Sequence, residues 1–190
     1  GESTLDEDKE SYQYDYEDIM RMLRDNSKLT DVAETISMFW EMFIVDALLG
    51  NFDRHGMNWG FIKRDNAYAL APVFDNGSCL FPNMTDEDEM AAVMASPEET
   101  AKRVYGFPLS QIKLRGKKSS YYEVINSLAF PECNRALEEV MGRIQLERIE
   151  ALVGEMPISE CHRAFYRHMI QARYHGILES SWASLGRRFL

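Results

Sequence analysis

A long apolar helical pattern that breaks into an acidic loop constrains this chain more than any other feature. Ile36, Phe39, Trp40, Phe43, Ile44, Ala47 and Leu48 recur at three- and four-residue intervals, the period of a helix set into a core. Asp31 followed by Glu34 reads as a capping box, and Gly50 suits a helix C-terminus, so the spacing predicts a helix over 31–49. Directly beyond it stand Asn51-Phe52-Asp53-Arg54-His55-Gly56-Met57-Asn58. Trp59 to Lys63, the turn residues Arg64-Asp65-Asn66, and Tyr68 to Ala71 then predict a β-hairpin, and Val73-Phe74-Asp75-Asn76-Gly77 follows it. Such an order brings Asp53, Asn58 and Asp75 to one end of the hairpin. Asp46 and Asn51 share the spacing of Asp53 and Asn58, but Asp46 lies inside the apolar pattern and reads as a helix residue.

An Asp, an Asn five residues on, and a second Asp after a hairpin form the layout of a phosphoryl-transfer site. The transferred group is stabilised almost wholly by positioning and by cations, and Mg²⁺ takes hard oxygen ligands, one or two carboxylates beside the substrate phosphates.

From Asp46 to Pro82, and above all in Gly-Asn-Phe-Asp-Arg-His-x-x-Asn and Leu-Ala-Pro-Val-Phe-Asp-Asn-Gly-Ser, the sequence resembles the C-terminal domain of HipA-like serine/threonine kinases. The resemblance implies ATP and Mg²⁺ as cofactors, Asp53 as the catalytic base and Asn58 and Asp75 as the nucleotide-side Mg²⁺ ligands. His55, two residues after the base, belongs to the catalytic loop as a bracing residue, and Asn76 and Gly77 let the metal-binding loop turn tightly. The His follows the Asp, whereas ordinary protein kinases put it before, which argues against a eukaryotic-type kinase. Phosphoinositide-type kinases share Asp-Arg-His-x-x-Asn and are the nearest rival. The resemblance further implies a protein Ser or Thr as acceptor and an antitoxin protein as a partner.

A glycine-rich loop over the phosphates and a strand Lys do not occur in order before the motif. Only Gly1 and Gly50 precede Asn51 as glycines, and Lys9 and Lys28 sit in polar contexts. The expectation is a C-terminal lobe, catalytically silent alone, whose N-terminal lobe lies outside this chain, with Gly1 as a cleavage scar.

The net charge of −10 lacks the basic footprint that duplex nucleic acid requires, and no apolar stretch is long enough to span a bilayer. Cys79, Cys133 and Cys161 form no pairwise metal spacing and suit a reducing, cytoplasmic compartment. Cys161, His162 and His168 read as surface and core residues, because no fourth metal ligand stands near them.

Residues 1–13 form an acidic tail expected to be poorly ordered, and 14–190 form the domain. The expected fold class is α+β, predominantly α-helical: a kinase-like C-terminal lobe with one β-hairpin carrying the catalytic and metal-binding loops. Helices are expected at 16–26, 31–49, 86–95, 97–105, 119–129, 132–142, 145–154 and 158–181, with strands only beside the motif. Lys113 to Lys118, the one dense basic run, reads as a solvated loop, and 84–94 as an acidic helix with an apolar inner face. The leading function is ATP-dependent transfer to a protein Ser or Thr. Its rivals are a phosphoinositide-type or small-molecule kinase fragment and a non-catalytic partner-binding module.

Overall fold

The computed structural model describes residues 14–25, 31–65, 67–114 and 116–187, so the expected acidic tail lies outside the described residues. Strand β1 (Tyr14–Asp15) leads into α1 (Tyr16–Asp25) and α2 (Val32–Leu49), and the hairpin β2 (Phe61–Arg64) and β3 (Ala67–Leu70) follows. Next come α3 (Glu87–Ala95), α4 (Pro97–Ala101) and a π-helical turn, Lys102–Gly106. A second hairpin, β4 (Leu109–Leu114) and β5 (Lys117–Ser120), precedes α5 (Tyr121–Asn126), α6 (Pro131–Arg143) and α7 (Leu146–Glu155). The chain closes with α8 (Glu160–Arg173), a second π-helical turn (Tyr174–Glu179) and α9 (Ser180–Gly186). The fold is the expected helix-rich α+β lobe, and among the described residues no helix is long and apolar enough to cross a membrane.

Helix α2 is the central post. Asp31 caps it by accepting the Glu34 N–H at 2.9 Å, one arm of the expected box, and Gly50 ends it in the left-handed region at φ 68°. Buried residues occur on most of its circumference, the signature of a helix enclosed by others rather than lying on a surface. Trp40 is fully buried and stacks with Phe130 at 5.9 Å, while Phe43 meets Tyr121 at 4.9 Å. Helix α1 is tied down by polar contacts: Tyr16 and Arg24 both donate to the Glu132 carboxylate, at 2.6 and 2.7 Å.

The hairpin beside the motif forms as expected, with Phe61 opposite Leu70 and Arg64 opposite Ala67. Strands are not confined to that place, however. β4 pairs antiparallel with β5 and parallel with β1, so the basic run is a hairpin with Gly116 at its turn (φ 73°), not a loop. The signal was hidden because a serine occupies the inner face: Ser110 and Ile112 are buried while Leu109 points outward. The Ser110 hydroxyl donates to the Ser119 carbonyl at 2.9 Å. The helix expected from 119 accordingly starts at Tyr121, behind a capping box in which Ser120 and Glu123 exchange bonds of 2.8 and 3.2 Å. The expected helices over 97–105 and 158–181 also change character, each passing into a π-helical turn. The two turns meet at Gly176, where a Cβ would stand 2.8 Å from Val104 Cγ1.

Candidate active site

The last turn of α2 carries the foundation of the site. Asp46 is buried there at 2% exposure, a position a carboxylate holds only when paired. Arg54 supplies the pair, donating from Nε to Oδ2 at 2.8 Å and from Nη2 to Oδ1 at 3.0 Å, a bidentate fork. Asn51 Nδ2 donates to the same Oδ1 at 3.0 Å. Burial by itself would lower the pKa of the Arg54 guanidinium, but the hydrogen bonds and charge of Asp46 outweigh it and hold the cation above the ordinary arginine value.

Arg54 then reaches across to the second loop. Nη1 donates to the carbonyls of Asn58 at 2.8 Å, of Phe74, and of Asp75 at 3.5 Å, and Nη2 to Asn76 Oδ1 at 2.6 Å. One buried side chain therefore joins the loop carrying Asp53 and Asn58 to the loop carrying Asp75. Two backbone bonds add to the seam, Phe52 N–H to the Ser78 carbonyl at 3.4 Å and Leu80 N–H to the Leu49 carbonyl at 2.8 Å.

Within the first loop, Asn51 Oδ1 accepts the Asp53 N–H at 3.0 Å, and the buried Tyr121 hydroxyl donates to the Asn51 carbonyl at 2.8 Å. Burial, and then the Asp46 charge, push the Tyr121 phenol well above its ordinary value, so it stays a donor. Asn58 Nδ2 donates to the Asp53 carbonyl at 2.6 Å, which leaves its Oδ1, the hard-oxygen end of the amide, for another ligand. His55 Nδ1 accepts the Met57 N–H at 3.1 Å, which puts the ring proton on Nε2, 3.8 Å from Asp53 Oδ1. The Asp53 carboxylate itself is half exposed.

Asp75 is exposed, and its carboxylate has no protein partner among the described residues. Its backbone sits at φ 54°, so Asp75 itself makes the left-handed turn. Gly77, expected to permit that turn, has open space where a Cβ would be. Among the described residues no group of three or more His, Cys, Asp or Glu side chains could hold a metal ion. An amide oxygen and one carboxylate nevertheless fit a Mg²⁺ ion that takes its remaining ligands from phosphates and water. Cys79, in the same loop, has its thiol pushed up to about 11, by burial and then by the Asp46 charge, so it is no thiolate nucleophile at neutral pH.

The profile of the HipA-like C-terminal domain family matches residues 3–151. The chain belongs to that family. Among similar proteins, serine/threonine-protein kinase CtkA of Helicobacter pylori strain J99 is 36% identical over 159 residues, 82% of this chain and 49% of that protein. The crystal structure of the Helicobacter pylori proinflammatory kinase CtkA superimposes with a TM-score of 0.87 at 32% identity, covering 94% of this chain and 66% of that one. The chain thus spans about half the length of the curated relative it matches.

The sequence pattern passed over Asp46, Asn51, Arg54 and Tyr121 as parts of the site. For Asp46 a signal existed, a carboxylate flanked by apolar residues from Met42 to Leu49 in the helical pattern, which demands a buried partner. Tyr121 stands 70 residues from Asn51 and carried no local signal. Cys161, His162 and His168 stay apart in their contacts: Cys161 faces the Glu87 carbonyl, His162 meets Ser159, and His168 lies 2.8 Å from Thr100 Oγ1.

Proposed function

We propose that this domain is the catalytic C-lobe of an ATP-dependent kinase that phosphorylates serine or threonine on a protein. The observation that carries the reading is the Arg54 bridge, which holds on adjoining loops a half-exposed Asp53 and an Asp75 whose carboxylate has no partner among the described residues. Asp53 takes the proton of the acceptor hydroxyl as its oxygen attacks the γ-phosphorus, and ADP leaves with the electrons of the broken bridging bond. His55, fixed by the Met57 N–H, presents its Nε2 proton toward Asp53 and keeps that carboxylate aimed at the acceptor. Asn58 Oδ1 and the Asp75 carboxylate are the groups that would hold Mg²⁺. When bound, the ion neutralises the charge of the ATP phosphates.

A protein acceptor, rather than a phosphoinositide, is supported by the relative's name as a serine/threonine-protein kinase. The free thiols of Cys79, Cys133 and Cys161 support a reducing cytoplasm. An antitoxin partner is a proposal resting on the family resemblance, as is the supply of the phosphate-covering loop and Lys by a further lobe.

In the full-length protein, Asp53→Asn should leave the fold intact and lower transfer from radiolabelled ATP by about 10²- to 10⁴-fold. A mutant keeping more than half the wild-type rate removes Asp53 from the mechanism. The 190-residue chain alone should bind Mg-ATP only at about millimolar Kd or weaker, about −4 kcal/mol. Micromolar binding by calorimetry would show the lobe sufficient for the nucleotide.

A further inference from the structure

Beside the first loop lies a cavity of about 360 Å³ that the phosphoryl-transfer chemistry does not use. Its apolar lining comes from Phe52, Phe81, Met84 and Phe107. The Phe107 ring lies 6.5 Å from that of Phe52 and 6.1 Å from that of Phe81, and Phe107 is itself 48% exposed. Phe52 is the residue before Asp53, so a wall of this cavity is chain neighbour to the candidate base, its Cα about 3.8 Å away.

The walls are held in place. Phe81 follows Leu80, and both are non-glycine residues in the left-handed region, at φ 56° and 58°. Such backbone persists only where its surroundings over-determine it, and it gathers at ligand sites. Here the Leu80 N–H is fixed on the Leu49 carbonyl at 2.8 Å, and the Phe107 carbonyl is gripped by the buried Arg173 at 3.2 Å.

The rim selects the class of ligand. Lys102 and Arg103 border the cavity, but Lys102 is paired with Glu98 and Glu99 at 3.1 and 2.7 Å, and Arg103 with Glu99 and Glu89 at 2.8 and 3.6 Å. Neutralised cations offer little to a phosphate, whereas the aromatic lining offers burial to an apolar group. At the small end of the roughly 300–1,000 Å³ of ligand cavities, the space suits one large side chain.

We propose that this cavity receives a large apolar side chain of the protein substrate, close in sequence to the phosphoacceptor residue because Phe52 of its wall adjoins Asp53. The inference rests on the kinase reading above and adds what the substrate must carry.

The test is a positional-scanning peptide library around a fixed Ser or Thr, phosphorylated by the full-length protein with Mg-ATP. One flanking position should select Phe, Leu, Met or Trp over Gly, Ala and Asp by about 10-fold or more in kcat/KM. Asn83, an exposed residue on the lining, allows the cavity to be filled by Asn83→Trp, and Phe107→Ala opens its wall. Each variant, checked for folding by circular dichroism, should erase the selection and raise the peptide KM while the KM for ATP moves less than about twofold. Transfer without selection, selection that survives both variants, or a shift in the KM for ATP instead overturns the inference and leaves the kinase reading standing. No transfer to any hydroxyl, the protein's own included, overturns both.

Discussion

Two buried arginines flank the C-terminal turn of α2, and they are held in opposite ways. Arg54 meets a carboxylate, Asp46, through two nitrogens, and its pKa lies above the ordinary value. Arg173, at 1% exposure, meets carbonyls alone among the described residues: Ala47 at 2.6 Å, Arg103, and Phe107 at 3.2 Å, with no partner there for Nη2. Burial brings its pKa down to about 10. A cation at a helix C-terminus is favoured by the dipole and by the unpaired carbonyls there, yet that offsets burial less completely than a full counter-charge. The contrast separates two tasks. Arg54 joins the two loops of the candidate site, while Arg173 joins α2, the first π-helical turn and the segment before β4, and so supports the scaffold and the aromatic cavity.

The comparison breaks most visibly at Arg54. Arg54→Met leaves Asp46 buried without its counter-charge and should cost about 3–5 kcal/mol in denaturant unfolding. Adding Asp46→Asn should recover part of that loss, a non-additive cycle, because the stranded charge is gone. If Arg54→Met alone costs under about 1 kcal/mol, the bridge is not what joins the loops.

Arg173→Met should cost less, about 1–3 kcal/mol, since it strands carbonyls but also removes a cation that burial disfavours. In the full-length protein its transfer rate per folded molecule should stay closer to wild type than that of Arg54→Met. A larger loss of stability than for Arg54→Met would reverse the ranking of the two cations.

The smallest effect concerns His168, which ties α8 to α4 through Thr100. The Thr100 hydroxyl donates to the Val93 carbonyl at 3.0 Å, so the imidazole serves it as donor at 2.8 Å. Burial lowers the His168 pKa below the ordinary 6.5. The folded state therefore binds the proton less readily than the unfolded one. The associated stability is present above about pH 6.5 and is lost as pH falls from there through the lowered folded value. Thermal melts between pH 7.5 and 5 should show that slope in wild type and a flatter one in His168→Gln. An unchanged slope assigns the acid sensitivity to other groups.

What could be read from the residues follows from how local each signal is. The helix over 31–49 was legible because its period, its Asp31 cap and its Gly50 stop agree within twenty residues. The hairpin at 61–70, the start of α4 at Pro97 and, to within one residue, that of α6 were legible for the same reason. β4 and β5 were not, because an inward Ser110 bonded to the Ser119 carbonyl inverts the apolar alternation that marks a strand. The passage of two helices into π-helical turns was equally hidden: nothing in the local pattern marks it, and the close approach of Gly176 to Val104 joins residues far apart in the chain.

The sequence by itself determined the groups available at the candidate site: Asp53, Asn58 and Asp75 bring two carboxylates and an amide at a spacing set by one loop and one hairpin. Tertiary structure alone decided which buried groups hold them. Asp46 gains its role only when Arg54 folds back eight residues onto it, and Asn51 when Tyr121 arrives from α5. A residue type states what a side chain can donate or accept. Only the packed chain removes water from around it and so makes one particular partner obligatory.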